Sequence, residues 1–536
     1  MNDTAKAPAG GHPRRWAILG VLVISLLVVV LDNTVLNVAM RIIADPQHGL
    51  GATQSELEWA INSYTLVFAG MLFTAGILAD RLGRRISLIV GLTLFGAASL
   101  FSAYAGTPDQ LIAARAVMGL GAAAVMPSTL SIIANVFDPK ERGRAIGVWA
   151  GAVGLAVALG PILGGFLLEH FWWGSVFLIN VPIVVVGVTL VAVLVPESRD
   201  PKPGRIDVLG VLLSIIGLTL LTYGVIKGGE DGFGSTLAWA PLATGVLVLI
   251  GFVLYQQRIE FPSLDVRLFA NRSFSASTGM IGLVFFAAMG SMFFGAFYLQ
   301  LVRGYGPLAS GALFVPFALG QMIFAPISST MVKRFGPKAV STVGLLLVAL
   351  GLAAWLPIGA DTPIAVVAVA FLLMGIGMAN VMPPATETIM SALPREKAGV
   401  GSAVSNTIRQ LGGALGVAVL GAILSSAYRS NLGSATDGLP TAAADAARES
   451  ITGAYAVAEQ AGAAAPGLID GANDAFIAAM HWSALGSVIF ALLGALVAAL
   501  FLPGKRPAEA APAAASVEEN VEKGLAEEQG VALADL

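Results

Sequence analysis

The chain reads as fourteen long apolar stretches separated by short polar breaks: 16–40, 57–78, 86–106, 109–135, 144–168, 174–195, 207–226, 238–256, 273–301, 308–332, 339–358, 363–391, 400–427 and 475–502. Their lengths match the roughly 20 residues a helix needs to cross a ~30 Å hydrocarbon layer. The apolar runs are unbroken, so they do not have the alternation of a membrane β-barrel. The pattern predicts an all-α polytopic membrane protein with 14 transmembrane helices. The first stretch follows Arg14 and Arg15, as a secretion leader would, but its apolar run is too long and no small-x-small cleavage site follows. It is read as the first membrane helix.

Composition narrows the classes further. Hydrophobic residues make up 56 % of the 536 positions and charged residues 12 %, against about 25 % charged in soluble domains. A soluble globule could not cover that much apolar surface. The chain has no cysteine, which removes disulfides, thiolate metal sites and a cysteine nucleophile. A net charge of −3 offers no basic field for nucleic acid. No Gly-x4-Gly-Lys-Ser/Thr loop is present, so ATP is not the expected energy source. No cofactor and no enzymatic activity are expected.

Orientation follows from the basic residues. With the N-terminus placed in the cytoplasm, 23 of the 30 Lys and Arg fall on the inside and five outside, while Arg115 and Arg409 lie within spans. This is a strong positive-inside asymmetry, and it predicts cytoplasmic N- and C-termini in a multi-pass protein of the cell membrane.

The chain also repeats. Val125-Met126-Pro127 recurs as Val381-Met382-Pro383, and Gly143 recurs as Gly399, both at an offset of 256; Arg81-Leu82-Gly83-Arg84-Arg85 echoes Arg334-Phe335-Gly336-Pro337-Lys338 at 253. Parallel repeats place a transporter's substrate site near the midplane, between the halves. The expected units are a cytoplasmic N-terminus (1–15), a first six-helix bundle (16–195), a linker with inserted helices 7 and 8 (196–272), and a second six-helix bundle (273–502). The second bundle carries an extracytoplasmic loop (428–474) with a short amphipathic helix. A disordered acidic tail (503–536) completes the chain.

Three motifs carry candidate chemistry. The loop after span 2 holds Gly76, Asp80, Arg81, Gly83, Arg84 and Arg85; its acid beside three arginines can make charge-assisted pairs with a neighbouring helix end or simply anchor the topology. In span 5, Gly147, Gly151, Gly154 and Ala158 form one smooth face, followed by Gly160, Pro161, Gly164 and Gly165. Such faces let membrane helices approach closely, and Pro161 is expected to kink the helix. Asp32 is the charged residue of span 1. A carboxylate there costs about 2.5–3.5 kcal/mol on insertion scales, so it is read as a proton- or cation-exchanging group, with a purely structural ion pair as the alternative. Arg115 in span 4 is always charged. Glu387, near the cytoplasmic end of span 12, is the second candidate acid.

These residues resemble known signatures. Gly76-x-Leu78-Ala79-Asp80-Arg81-x-Gly83-Arg84-Arg85 resembles motif A of the major facilitator superfamily. Leu111-x3-Arg115-x3-Gly119-x-Gly121 resembles motif B. Gly160-Pro161-x2-Gly164-Gly165 resembles motif C, the antiporter motif of drug exporters. Leu31 to Ala39, Phe177 to Pro182, and Arg409-Gln410-Leu411-Gly412-Gly413 resemble signatures of the fourteen-helix drug:proton antiporter subfamily. The resemblance implies a major facilitator fold of two six-helix halves plus two inserted central helices. It also implies that Arg115 tunes the proton affinity of the coupling acid. The expected partners are protons, the lipid bilayer and a hydrophobic, preferably cationic, drug or dye; the protein is expected to be a monomer. Aromatic and thioether side chains at Trp59, Phe68, Phe285, Phe286, Met289, Phe293, Phe294 and Phe297 suit such substrates, although most are read as facing lipid. An exporter of one endogenous metabolite or antibiotic is the nearest alternative. A non-transporting receptor on the same scaffold is the more distant one.

Overall fold

A computed structural model describes residues 11–45, 49–200, 207–230, 232–260, 262–394, 397–461 and 467–504. The expected acidic tail from residue 505 onward, the first ten residues, linker residues 201–206 and Arg395-Glu396 of the second repeat loop lie outside them. In chain order the α-helices are α1 (Arg15–Ile43), α2 (Gln54–Leu82), α3 (Arg84–Ala103), α4 (Pro108–Val136), α5 (Pro139–His170), α6 (Ser175–Leu178), α7 (Asn180–Leu194), α8 (Val208–Glu230) and α9 (Thr236–Gln256). They continue as α10 (Arg272–Phe297), α11 (Pro307–Ala312), α12 (Val315–Phe335), α13 (Pro337–Ala353), α14 (Ile364–Ser391), α15 (Ala398–Leu432), α16 (Thr441–Glu449), α17 (Ile451–Ala461) and α18 (Leu468–Phe501). Every one of the fourteen apolar stretches falls on a helix or on two consecutive ones. Among the described residues, twelve helices are long and apolar enough to cross a membrane. The other two stretches correspond to α5 and to α13, an apolar helix of 17 residues.

Local chemistry sets the boundaries. Thr53 and Glu56 form a capping box at the start of α2, and Asp138 caps α5 with Pro139 at its first turn. These satisfy backbone donors that a helix start leaves open. The cap also explains why α5 begins five residues before the apolar stretch does. The sixth stretch is broken at Ile179, because Pro182 has no N–H for the carbonyl of Leu178.

The repeat is visible in the packing. α2 packs on α4 as α12 packs on α14, α3 on α4 as α13 on α14, and α1 on α5 as α10 on α15. The fit is specific to single glycines. A Cβ on Gly119 would strike the Tyr64 carbonyl, and a Cβ on Gly375 would strike the Phe317 carbonyl; the two pairs are related by the offsets 256 and 253. Gly83 and Gly336, again 253 apart, both take positive φ, 120° and 85°, at the turn between consecutive helices. Across the seam between the repeats, α5 packs on α12 and α14 while α15 packs on α2 and α4. α8 and α9 pack on each other, and α8 also touches α2 and α15.

The 428–474 segment holds two docked helices, α16 and α17, where one was expected. Their buried face includes Ala447, Ile451 and Ala454. The Tyr455 hydroxyl donates to the Leu301 carbonyl at 2.8 Å.

Candidate functional site

Asp32 sits two-thirds of the way along α1 and is 3 % exposed. Its Oδ2 is ion-paired with Nη1 of Arg115 on α4, a residue with no exposed surface. Asn180, the first residue of α7, donates to Asp32 Oδ1 at 3.0 Å and lies 3.1 Å from Ser99 Oγ on α3. Arg115 Nε donates to the Ala60 carbonyl at 3.2 Å, and Nη2 lies 3.4 Å from Asn33 Oδ1. The guanidinium lies 4.4 Å from the centroid of the Tyr64 ring. Five helices thus converge on one charge pair, sealed inside the first half. A buried pair of this kind survives only if its remaining donors and acceptors are satisfied, and here backbone and amide groups supply them.

The structure therefore joins Asp32 to Arg115, as the sequence allowed, and adds Asn180, Ser99, Tyr64 and the Ala60 carbonyl. Those four carry no charge and lie 28 to 148 positions from Asp32. Asn180 opens the helix that follows Phe177, and an amide in an otherwise apolar segment was the available signal.

Glu387 is not part of this cluster. It lies at the seam, where Gly143 of α5 leaves room for its carboxylate and where Arg142 and Lys333 face it. Glu387 is a second, separate acid near the end of α14, as its position along the chain implied; that its turn meets α5 could not be read from spacing.

Beside it, Lys333 donates to the Lys140 carbonyl at 2.8 Å. The repeat-related contact is Asp80. Its Oδ1 accepts from the Gly399 N–H at 2.9 Å and its Oδ2 from the Val400 N–H at 3.2 Å, at the N-terminus of α15. An anion is favoured there by the helix dipole and the open N–H groups. Arg84 pairs with Asp80 at 2.8 Å, whereas Arg85 donates to the Ala192 carbonyl at 2.5 Å and its N–H to Glu197 at 3.2 Å. The arginines thus do different work. Arg81 is half-buried, Gly83 makes the turn, and a Cβ on Gly76 would reach Ala403 and the Gly399 carbonyl at 2.7 Å.

The glycine motif of α5 divides in two. Gly147, Gly151 and Gly154 face α12 across the seam, against Ala325, Met322 and Gln321. Gly160 and Gly164 face α1 instead, against Thr34 and Val35, two and three residues beyond Asp32. Gly165 lies on the same turn and is half-buried. Pro161 and Ala158 are helical, but their side chains lie outside the described set. The three glycines expected to share one smooth face thus all turn to α12, while the glycine-proline run that follows them turns to α1. Of the aromatic candidates, Phe285 reaches the seam at Arg409, while Phe68 stacks on Tyr64 and Phe286 stacks on Phe490 inside the bundles.

Comparison with known proteins identifies the family of the fold. The family model described as Major Facilitator Superfamily matches residues 22–417. The chain is 37 % identical over 486 residues to the multidrug efflux pump LfrA of Mycolicibacterium smegmatis, covering 90 % of this chain and 95 % of that protein. It is 33 % identical over 427 residues to the tetracenomycin C resistance and export protein of Streptomyces glaucescens, covering 79 % of each. The crystal structure of the human organic anion transporter MFSD10 superimposes with a TM-score of 0.60 at 16 % identity, over 91 % of this chain and all of that one; at that identity the likeness shows the fold alone.

Proposed function

The chain belongs to the Major Facilitator Superfamily, and on that premise we propose that it is a proton-coupled antiporter that exports hydrophobic drugs across the cell membrane by alternating access. It is a multi-pass membrane transporter protein rather than an enzyme. In this reading the membrane is crossed fourteen times, both termini are cytoplasmic, and the halves are residues 16–195 and 273–502. The protein acts as a monomer.

The observation that carries the reading is the charge pair of Asp32 and Arg115. A carboxylate this deep, held by one cation and one amide, can take up a proton only by loosening Arg115. Gly160 and Gly164 pack α5 on the same stretch of α1, and α5 is also the helix that lines the seam. Protonation of Asp32 is thereby linked to the packing of the two halves. Asp80 of α2, bonded to the start of α15, and Lys333 of α12, bonded to α5, hold the basic-loop end of the seam shut through bonds that can break without unfolding either half. Such contacts shift a conformational equilibrium. The proton gradient supplies about 2.3 kcal/mol per charge per 100 mV and about 1.4 kcal/mol per pH unit.

Hydrophobic cations are the expected substrates. Asp32 is already paired with Arg115, so it offers such a substrate no free carboxylate. The likeness to the tetracenomycin C export protein favours a second reading, a dedicated exporter of one endogenous antibiotic. Everted vesicles carrying a pH-sensitive dye test both. A range of unrelated lipophilic drugs should each release the proton gradient; release by a single compound selects the dedicated exporter, and release by none rejects antiport.

A further inference from the structure

Arg409 on α15 has no carboxylate partner among the described residues. It is 7 % exposed. Its Nη2 donates to Asn406 Oδ1 and lies 3.7 Å from the Met126 sulfur. Both hydrogen bonds use the same nitrogen, leaving Nε and Nη1 without an acceptor among the described residues. The guanidinium carbon lies 5.7 Å from the Trp149 ring and 5.7 Å from the Phe285 ring. Trp149 is on α5 and Phe285 on α10, so the two rings come from opposite halves, and Met126 adds α4. The residue stands eleven positions into α15 and Trp149 ten into α5, roughly 15 Å from the helix starts at 1.5 Å per residue. That depth is near the midplane, where a parallel-repeat transporter binds its cargo.

A guanidinium cannot shed its charge, and burying one without an anion is costly. Ring faces offset part of that cost, and an amide oxygen offsets a little more. Neither uses the two-pronged N–H face that matches a carboxylate or sulfonate. The contacts come from α4, α5, α10 and α15, and none of the groups that touch the guanidinium is an acid.

We propose that Arg409 is the recognition point for an anionic group on the exported molecule, with Trp149 and Phe285 gripping its aromatic body. The preferred cargo is then an aromatic compound bearing a carboxylate or sulfonate, zwitterions included, rather than a bare cation. This rests on the exporter reading and replaces its cationic substrate preference with an anionic or zwitterionic one.

The test uses the full-length protein in proteoliposomes with two probes: 8-anilinonaphthalene-1-sulfonate as the aromatic anion and tetraphenylphosphonium as the cation. Wild type should bind and move the sulfonate. Arg409→Gln should lower the ratio of sulfonate to phosphonium affinity at least tenfold, and Arg409→Lys, which keeps the charge, should recover part of it. If Arg409→Gln does not reach the membrane, Arg409→Lys carries the test alone, and its sulfonate affinity should fall more than its phosphonium affinity. An unchanged ratio in whichever variant is measured, or a wild type that moves phosphonium but neither binds nor moves the sulfonate, overturns the assignment and leaves the exporter reading standing. A wild type that moves neither probe removes the exporter reading and this inference together.

Discussion

Arg115 and Arg409 are both buried guanidiniums on membrane helices, and they are held in opposite ways. Arg115 lies inside one half, locked to Asp32 and surrounded by Asn180, Asn33, Tyr64 and the Ala60 carbonyl. Arg409 stands between the halves with two rings, one amide and a sulfur for company. The difference is informative because the surrounding scaffold is so nearly duplicated. Gly119 meets the Tyr64 carbonyl as Gly375 meets the Phe317 carbonyl, but position 371, which stands opposite Arg115 in the repeat, is Phe371. The duplicated glycines hold helices together in both halves, and the charges were placed in one half or at the seam. A satisfied pair suits a group that must open and reclose on a proton. An unsatisfied cation suits a group that waits for a ligand.

The largest expected effect comes from breaking the satisfied pair. Asp32→Asn leaves Arg115 buried without a counter-charge, which costs about 3–5 kcal/mol when one partner of a buried pair is removed. Export should vanish, and membrane abundance should fall on immunoblots. The double variant Asp32→Asn with Arg115→Gln should recover abundance but not proton-coupled export. Full export by the double variant would make the pair structural only.

The glycine faces come next. A Cβ at Gly160 would collide with the Thr34 side chain, whereas at Gly164 it would lie 3.2 Å from a Val35 methyl that can move. Gly160→Val should therefore lower drug export and let protons leak into drug-free proteoliposomes, with Gly164→Val showing the same defect more weakly. Equal proton tightness in both variants and wild type would remove α5 from the coupling path.

Asp80 sharpens the comparison at the seam. Asp80→Asn loses the Arg84 pair and weakens two bonds to the α15 N-terminus, worth about 1–2 kcal/mol together. Turnover should fall about five- to tenfold, with drug affinity in detergent little changed. Loss of affinity to the same extent would show that Asp80 shapes the site rather than the gate. Smallest is Asn180→Ala, which removes one of the two bonds to Asp32 and should slow export a few-fold at normal abundance.

Much of this was legible in the sequence. The fourteen stretches located every long helix, since a membrane helix needs only an unbroken apolar run. Asp32 and Arg115 stood out because a lone charge in such a run is costly. What the chain could not show was their meeting across 83 positions, because no local register links α1 to α4. Asn180 stood out only as part of the Phe177–Pro182 signature, and Tyr64 not at all, for a related reason: an uncharged polar side chain in an apolar helix is cheap enough to be common. The division of the α5 glycines between α12 and α1 depends on which neighbour each turn meets, and Glu387 at the seam depends on the closed arrangement of both halves.

The role of Asp32 as the proton carrier can be measured directly. Everted vesicles containing wild type or the Asp32→Asn, Arg115→Gln double variant, at matched abundance, are energised and then given drug while a pH-sensitive dye reports the lumen. The account predicts that drug collapses part of the gradient in wild type and leaves it untouched in the double variant, even though that variant still binds drug. Drug-driven proton release at the wild-type rate in the double variant would contradict it.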